Sequence, residues 1–453
     1  MLAQILFLIL LGLTSWIALK KYGQLITNIR LGQDYEVTGD VSQRWKNTFL
    51  VAFGQKKMFK NLLPAVLHTF IYTAFLVTQI ELIEIIFDGI LGQHRLFAPF
   101  LGGFYTFLIS LIEILSLGAF FATLIFLIRR NLLYIPRFRK PELKGWPARD
   151  ANIILYGEIL LIIGIFSMNG ADTLLQQQMP ESYHDTGSFA VSGWLGPMLF
   201  GSLEVSTLQI LERFGWWLHL IVVFGFIAYL PYSKHLHIIL AFPNTWYAPL
   251  NPRGKMENMP AIMNEVKSMM GLPVENPSEE TVSLEFGAND VTSLSWKNIM
   301  DAYACTECGR CTAECPANQT GKKLSPRKIM MDIRDRAEEV GGKIASGNLD
   351  FIKAEFKADN PILSKANFDD GKSLFDLISP EEIHACTTCN ACVEACPVMI
   401  NPLEPILKLR RYEILTLSQG PSDLLPMFNS LENAGSAWQI PQDRDQWAKD
   451  ATA

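Results

Sequence analysis

Along the first half of the chain, apolar residues come in blocks far longer than the stripe of a half-buried helix. Five blocks stand out, at residues 2–19, 62–90, 104–128, 153–168 and 214–242. A helix needs about 20 apolar residues to cross a ~30 Å hydrocarbon core, so the pattern predicts five transmembrane helices. The fourth block is short and carries Glu158, whereas the second and fifth are long enough to tilt or protrude. Past residue 245 the pattern changes. Pro243, Pro249, Pro252 and Pro260 punctuate a joint over 246–290. Residues 291–415 carry short, capped helical segments, and 416–453 read as a polar tail with little periodicity. The predicted fold is mainly α, a five-helix bundle in the membrane over residues 1–245 followed by a smaller helical domain.

Charge orients this arrangement. The connection after the first block holds Lys20, Lys21, Arg30, Arg44, Lys46, Lys56, Lys57 and Lys60, and the third connection holds Arg129, Arg130, Arg137, Arg139, Lys140, Lys144 and Arg149. The other two connections, near residues 91–103 and 169–205, have only Arg95 between them. Lys and Arg collect on the cytoplasmic side, so the N-terminus is expected outside and residues 246–453 in the cytoplasm. A cleaved signal peptide fits poorly, because the positive charges follow the first apolar run instead of preceding it. The first 250 residues carry 18 Lys+Arg and 15 Asp+Glu; the remaining 203 carry 21 and 30. With a net charge of −6 and no basic run, a nucleic-acid partner is not expected.

All eight cysteines lie in the second half, in two copies of one motif. Cys305, Cys308, Cys311 and Cys315-Pro316 form the first, and Cys386, Cys389, Cys392 and Cys396-Pro397 the second, both C-x2-C-x2-C-x3-C-P. A 4Fe–4S cube needs one thiolate per iron, and in two-cluster ferredoxins the fourth cysteine of each run serves the other cluster. That pattern gives Cys305, Cys308, Cys311 and Cys396 to one cluster and Cys386, Cys389, Cys392 and Cys315 to the other. Structural zinc prefers two separated ligand pairs, and disulfides are disfavoured in a reducing cytoplasm. Between the motifs, Ser325-Pro326 opens a helix expected to stop at Gly341-Gly342. Ser379-Pro380-Glu381-Glu382 is a capping box, and Asn401-Pro402 opens a helix through Arg410-Arg411. With helices framing both loops, residues 295–415 resemble the alpha-helical ferredoxin domain of heterodisulfide reductase, glycolate oxidase and succinate dehydrogenase iron–sulfur subunits.

Ionisable side chains at membrane depth are costly and usually functional. His219 and His237 lie 18 residues apart in the fifth block, five whole turns of one helix, which puts them on one face about 27 Å apart, with Pro231 as a kink between them. His68, two turns into the second block, matches His237 in depth. Neutral imidazole suits iron, and a facing pair makes a haem site. The segment Leu218-His219-Leu220, Leu230-Pro231-Tyr232-Ser233-Lys234 and Leu236-His237-Ile238 resembles the last span of the respiratory nitrate reductase gamma subunit, a di-haem cytochrome b. The resemblance implies His68 and His237 as ligands of a haem b on the cytoplasmic side, and His219 as half of an outer pair. Thr78 and Gln79 stand where that family has its second outer histidine, and His94 could replace it only by folding back. One haem is expected, and a second lacks its ligand. Glu81, Glu84, Glu113 and Glu158 are read as hydrogen-bonded within the bundle.

The combination resembles membrane-bound iron–sulfur oxidoreductases related to heterodisulfide reductase, including those linked to electron-transfer flavoprotein. It implies a subunit of the bacterial cytoplasmic membrane that passes single electrons between a soluble redox protein and a quinone. The alternative is an iron–sulfur anchor that docks a separate catalytic subunit and has no quinone chemistry of its own. The paired-cysteine domain of that wider family, with its Cys-Cys-Gly signature, is absent from this sequence and would come from a partner. No dinucleotide fingerprint occurs, so neither flavin nor nicotinamide is expected. The acidic second half would favour a partner with a basic docking face.

Overall fold

A computed structural model of the protein describes all residues except 253, 257, 275–285, 357–361, 438–444 and 453. The described residues contain helices and loops, with two isolated bridges and no strand. Five helices are long and apolar enough to cross a membrane: α1 (Leu2–Ile29), α2 (Leu62–Leu91), α3 (Gly103–Asn131), α4 (Trp146–Gln178) and α5 (Val205–Tyr229), the last extended by a 3-10 turn to Tyr232. Their outer surfaces carry exposed Ile9, Leu13, Phe107, Phe121, Ile163 and Ile210, the apolar coat that lipid would cover.

The fourth helix is the longest, at 33 residues, and not the shortest as its apolar run suggests. Its polar ends stay helical because neighbouring elements satisfy them. Near its C-terminal end, Arg95 is 5% exposed and bridges α3 and α4, with Nε donating to Asp172 at 2.6 Å, Nη2 to Asn169 at 2.7 Å and Nη1 to the Tyr105 hydroxyl at 3.0 Å. Tyr105 donates onward to Glu84 at 2.7 Å. Asn169 and the backbone N–H groups of Val191 and Ser192 donate to Glu113, and Thr123 donates to Glu158. These acids tie the bundle together, as burial demands of polar groups. Glu81 is the exception: buried, with neither carboxylate oxygen hydrogen-bonded.

The fifth block is not one helix. Pro231 has no N–H to continue the ladder. The chain makes 3-10 turns at Leu230–Tyr232 and Lys234–Leu236, passes through an extended Ser233 (φ −117°, ψ 148°), and restarts as α6 (His237–Trp246). The inference that His219 and His237 share one helix face five turns apart therefore fails, because the two lie on separate helices.

The second half is built on α7 (Trp296–Tyr303), α8 (Pro326–Ser346), α9 (Pro380–His384) and α10 (Leu403–Arg411). Its core also takes Leu25 from the end of α1, Leu31 from just beyond it, and Leu236 and Leu240 from the restart after Pro231. Beyond α1, Gln33 exchanges backbone hydrogen bonds with the Leu294–Trp296 segment, at 2.7 and 2.9 Å. The end of α1 is thus clamped into this core. Helix α8 runs through Gly341-Gly342, the expected stop, and ends at Gly347 in a left-handed conformation (φ 67°). Gly341 serves close approach: a Cβ there would lie 1.9 Å from Asn28 Oδ1. Asn28, near the end of α1, donates to the Tyr303 hydroxyl at 3.0 Å. The segment read as a polar tail contains helices at Leu425–Ala434 and Gln446–Thr452, and the joint contains one at Pro260–Met269.

Gly→Ala inside a helix ordinarily stabilises by up to about 1 kcal/mol. Gly341→Ala is expected to do the opposite, destabilising by about 1–3 kcal/mol through overpacking against Asn28. Thermal unfolding in detergent checks the sign, and a stabilised variant would refute the close contact.

Candidate iron–sulfur and histidine site

The two cysteine motifs adopt one loop shape. Each follows a short helix started by a serine capping box, Ser295 with Asn298 for α7 and Ser379 with Glu382 for α9. In each loop the residues on either side of the second cysteine are left-handed: Glu307 (φ 52°) and Gly309 (φ 71°) around Cys308, Thr388 (φ 56°) and Asn390 (φ 60°) around Cys389. That conformation suits glycine and asparagine and is costly for Glu and Thr. The loops then close into short helices, Arg310–Ala313 and Ala391–Ala395, which carry Cys311 and Cys392.

This geometry sorts the sulfurs into two sets. Cys305, Cys308, Cys311 and Cys396 line one cavity, together with Arg327 and Met330 from α8. Cys386, Cys389 and Cys392 gather with Cys315, Cys392 lying within electrostatic reach of the other three. Each set takes its fourth sulfur from the opposite motif. Burial pushes the Cys305, Cys392 and Cys396 thiols up to about 12, so in the absence of metal these sulfurs keep their protons, and a metal must displace them to bind. Among the described residues, no three metal-binding side chains converge as they would on a single ion. Four sulfurs spread around a cavity suit a cube with one ligand per corner. Each set has two buried sulfurs, Cys305 and Cys396 in one and Cys315 and Cys392 in the other, and the sets differ in that Cys389 of the second is exposed.

The set that includes Cys305 faces the helical bundle. Arg310, between Cys308 and Cys311, donates to the carbonyl oxygen of Lys57 at 3.3 Å. Arg327 donates to the Arg137 carbonyl oxygen and the Glu142 carboxylate, both at 2.8 Å. Glu307, in the strained position beside Cys308, forms ion pairs with Arg334 of α8, at 2.8 Å, and with Lys234. Burial opposes the Glu307 charge, but Lys234 and Arg334 outweigh it and hold the carboxyl below its ordinary range.

Lys234 lies within the break that follows α5. Asp150, from the first turns of α4, satisfies that break by accepting from the Tyr229 hydroxyl at 2.5 Å, the Ser233 hydroxyl at 2.6 Å and the Lys234 N–H at 3.1 Å. The Lys234 carbonyl oxygen lies 3.0 Å from His237 Nδ1. One residue thus contacts a cysteine-loop carboxylate through its side chain and orients a histidine through its backbone. Lys234 belongs to the motif that carries the resemblance, but no spacing signal singles out Asp150, because its role depends on the break at Pro231.

His68 comes within electrostatic reach of His237 and of Arg310. His235, overlooked in the sequence pattern, stacks on His237 with ring centroids 5.7 Å apart. Tyr72, one turn from His68, stacks beside it at 6.4 Å. The Tyr72 hydroxyl and His235 Nδ1 are buried with no hydrogen-bond partner. His219 lies apart on α5, its Nδ1 3.3 Å from the Leu161 carbonyl oxygen. His94 does not fold back towards His219. Its Nε2 lies 3.2 Å from Asp172, where a carboxylate holds it in the Arg95 network.

Residues 304–400 match the family model of the 4Fe-4S dicluster domain. The chain is 28% identical over 99% of its length to "Probable iron-sulfur-binding oxidoreductase FadF" of Bacillus subtilis, covering 61% of that protein. It is 25% identical over 88% of its length to "EtfAB:quinone oxidoreductase" of Syntrophomonas wolfei, covering 53% of it. A third relative, "Probable membrane-anchored ferredoxin" of Chromohalobacter salexigens, is 29% identical over 36% of this chain and 24% of its own length. The chain therefore spans little more than half the length of the first two relatives. No solved structure matches. The likenesses are thus to proteins named as oxidoreductases and to one named as a membrane-anchored ferredoxin, and the domain matched by a family model is the 4Fe-4S dicluster domain.

Lys234→Met removes one partner of a buried pair and should destabilise the folded protein by about 2–4 kcal/mol. Adding Glu307→Gln should restore at least half of that loss. A double-mutant cycle on thermal unfolding measures this, and strictly additive losses would show that the two residues do not interact.

Proposed function

We propose that this chain carries single electrons between a soluble redox partner and membrane quinone, using two 4Fe–4S clusters and a haem b. Cluster one is assigned to Cys305, Cys308, Cys311 and Cys396, and cluster two to Cys386, Cys389, Cys392 and Cys315, following the two sets of sulfurs described above. His68 and His237 are assigned as axial ligands of the haem. When bound, these groups supply reversible one-electron chemistry, while the protein sets their position and electrostatics. With basic loops at the cluster-bearing end, the charge rule orients the iron–sulfur part to the cytoplasm and the N-terminus outside.

The observation that carries the haem assignment is the His237 contact with the Lys234 carbonyl. Metal-bound histidines characteristically donate their second ring N–H to a carbonyl or carboxylate, which fixes the tautomer and leaves the other nitrogen for the metal. Here Nδ1 makes that contact and Nε2 remains available. The unpartnered Tyr72 hydroxyl and His235 Nδ1 nearby suit the polar edge of a bound group. His219 has the same kind of backbone contact at Leu161, but His94, the candidate for its second ligand, is held at Asp172, so one haem is assigned. The relative named as a quinone oxidoreductase supports the quinone link. The membrane-anchored ferredoxin relative favours a second reading, an anchored iron–sulfur module whose quinone chemistry lies in another subunit.

His68→Ala and His237→Ala should each lower haem content at least about tenfold while leaving cluster iron unchanged. Optical spectra of dithionite-reduced protein and iron analysis test this together. Full b-type absorbance in either variant would refute the ligand pair, and a wild type with clusters but no haem would favour the anchored-module reading.

A further inference from the structure

Glu81, Glu84 and Asp88 follow one another along α2 at spacings of three and four residues, which sets them on one helix face with about 5–6 Å between neighbouring Cβ atoms. Two of the three have structural work. Asp88 accepts from the backbone N–H groups of Arg95 and Leu96 at 2.9 and 3.0 Å, and Glu84 from the Phe97 N–H at 2.8 Å and from Tyr105. They fix the turn that follows α2. Glu81 has no such work. It is 3% exposed, and among the described residues neither of its oxygens has a hydrogen-bond partner. It lies within electrostatic reach of Glu84, of Arg95 and, from α3, of Glu113. The Ser192 hydroxyl, whose own backbone N–H bonds Glu113, is also buried without a partner. The row of acids leads to the end of the bundle away from the cysteine loops. There His94 is partly exposed, within electrostatic reach of Asp88 and 3.2 Å from Asp172. The opposite end of α2 meets the cysteine domain, where Lys60 pairs with Glu394.

We infer that Glu81 is a proton-exchanging site within the bundle, fed from the His94 end along Asp88 and Glu84, and that it supplies protons to the quinone. The inference rests on the function proposed above and adds where the protons enter. A carboxyl at this depth with no hydrogen-bond donor is too costly as a bare anion, so it needs a proton or a cation. The surroundings do not suit a metal ion. Each oxygen of Glu84 and Glu113 already accepts a hydrogen bond, and among the described residues no three metal-binding side chains converge. The other charges nearby are paired, Arg95 with Asp172 of α4, and Glu212 of α5 with Arg213. A proton therefore fits best. Reduction of a quinone consumes two electrons and two protons and forms two O–H bonds. The electrons come singly from the carriers, while Glu81 releases a proton and regains one through Glu84. About 20 Å of helix separates Glu81 from His68, so electrons and protons approach from opposite ends of the bundle.

The test uses the full-length, cofactor-loaded protein in liposomes containing menaquinone, with Glu81→Gln and Glu81→Asp as variants and protein-free liposomes as the blank. Dithionite added outside reduces the molecules whose iron–sulfur half faces outwards, and a pH dye trapped in the lumen reports protons taken from the His94 end. With the wild type the lumen should turn alkaline as quinone is reduced. Glu81→Gln keeps the size of the side chain but carries no acidic proton, and should slow both signals by about tenfold or more. Glu81→Asp should recover part of the rate. Reoxidation by ferricyanide, which takes electrons without protons, should be equal in all three proteins. Wild-type rates in Glu81→Gln, quinone reduction without lumen alkalinisation in the wild type, or equal slowing with ferricyanide and quinone would each overturn the inference. Loss of clusters or haem from both variants would make Glu81 a structural residue and overturn it as well. A cofactor-loaded wild type that ferricyanide reoxidises but that never reduces quinone would instead count against the proposed function.

Discussion

Lys234 is the residue on which the rest of the arrangement depends. It lies where the fifth long helix ends, contacts Glu307 beside Cys308, and offers its carbonyl to His237. A charged amine buried between two parts of a protein is expensive unless paired. The pairing with Glu307 therefore selects one seating of the bundle on the cysteine-bearing domain. Asp150 makes that seating possible, because it satisfies the backbone and hydroxyl groups freed by Pro231. Without the break, the chain would continue as a straight helix and Lys234 would not be held at this junction.

A second constraint works alongside it. The end of α1 enters the core of the second half, with Leu25 and Leu31 buried there and Asn28 against Gly341. The two halves thus share hydrophobic core, and are not two domains joined only by the proline-rich segment. Shared core limits rocking between the histidines and the cysteine loops. For electron transfer that rigidity matters, since the protein's contribution is to keep its carriers at fixed separation.

Most of the architecture could be read from sequence, because long apolar runs and a repeated cysteine spacing are local signals. The five membrane-length helices, the caps at Ser325 and Ser379, and the helix after Pro402 all follow from such patterns. What escaped depends on tertiary partners. The fourth helix extends because Arg95 and its neighbours satisfy polar residues that a hydropathy count treats as an end. Helix α8 passes Gly341-Gly342 because packing against α1 requires a residue without a side chain there. Pro231 is legible as a kink, but the full break is not, since it needs Asp150, 83 residues before Ser233, to satisfy it. His235 and Tyr72 became visible only once the loop brought them beside His237 and His68.

The central claim is that the cysteine-held clusters and the histidine pair form one connected path to quinone. Stopped-flow mixing of the fully reduced, full-length protein with a menaquinone analogue tests it most directly, following iron–sulfur absorbance and the b-type band in the same trace. Connected carriers should reoxidise together, with the b-type band responding no later than the iron–sulfur signal. Iron–sulfur reoxidation in protein that shows no b-type band, or a b-type band that stays reduced while the clusters reoxidise, would contradict the account.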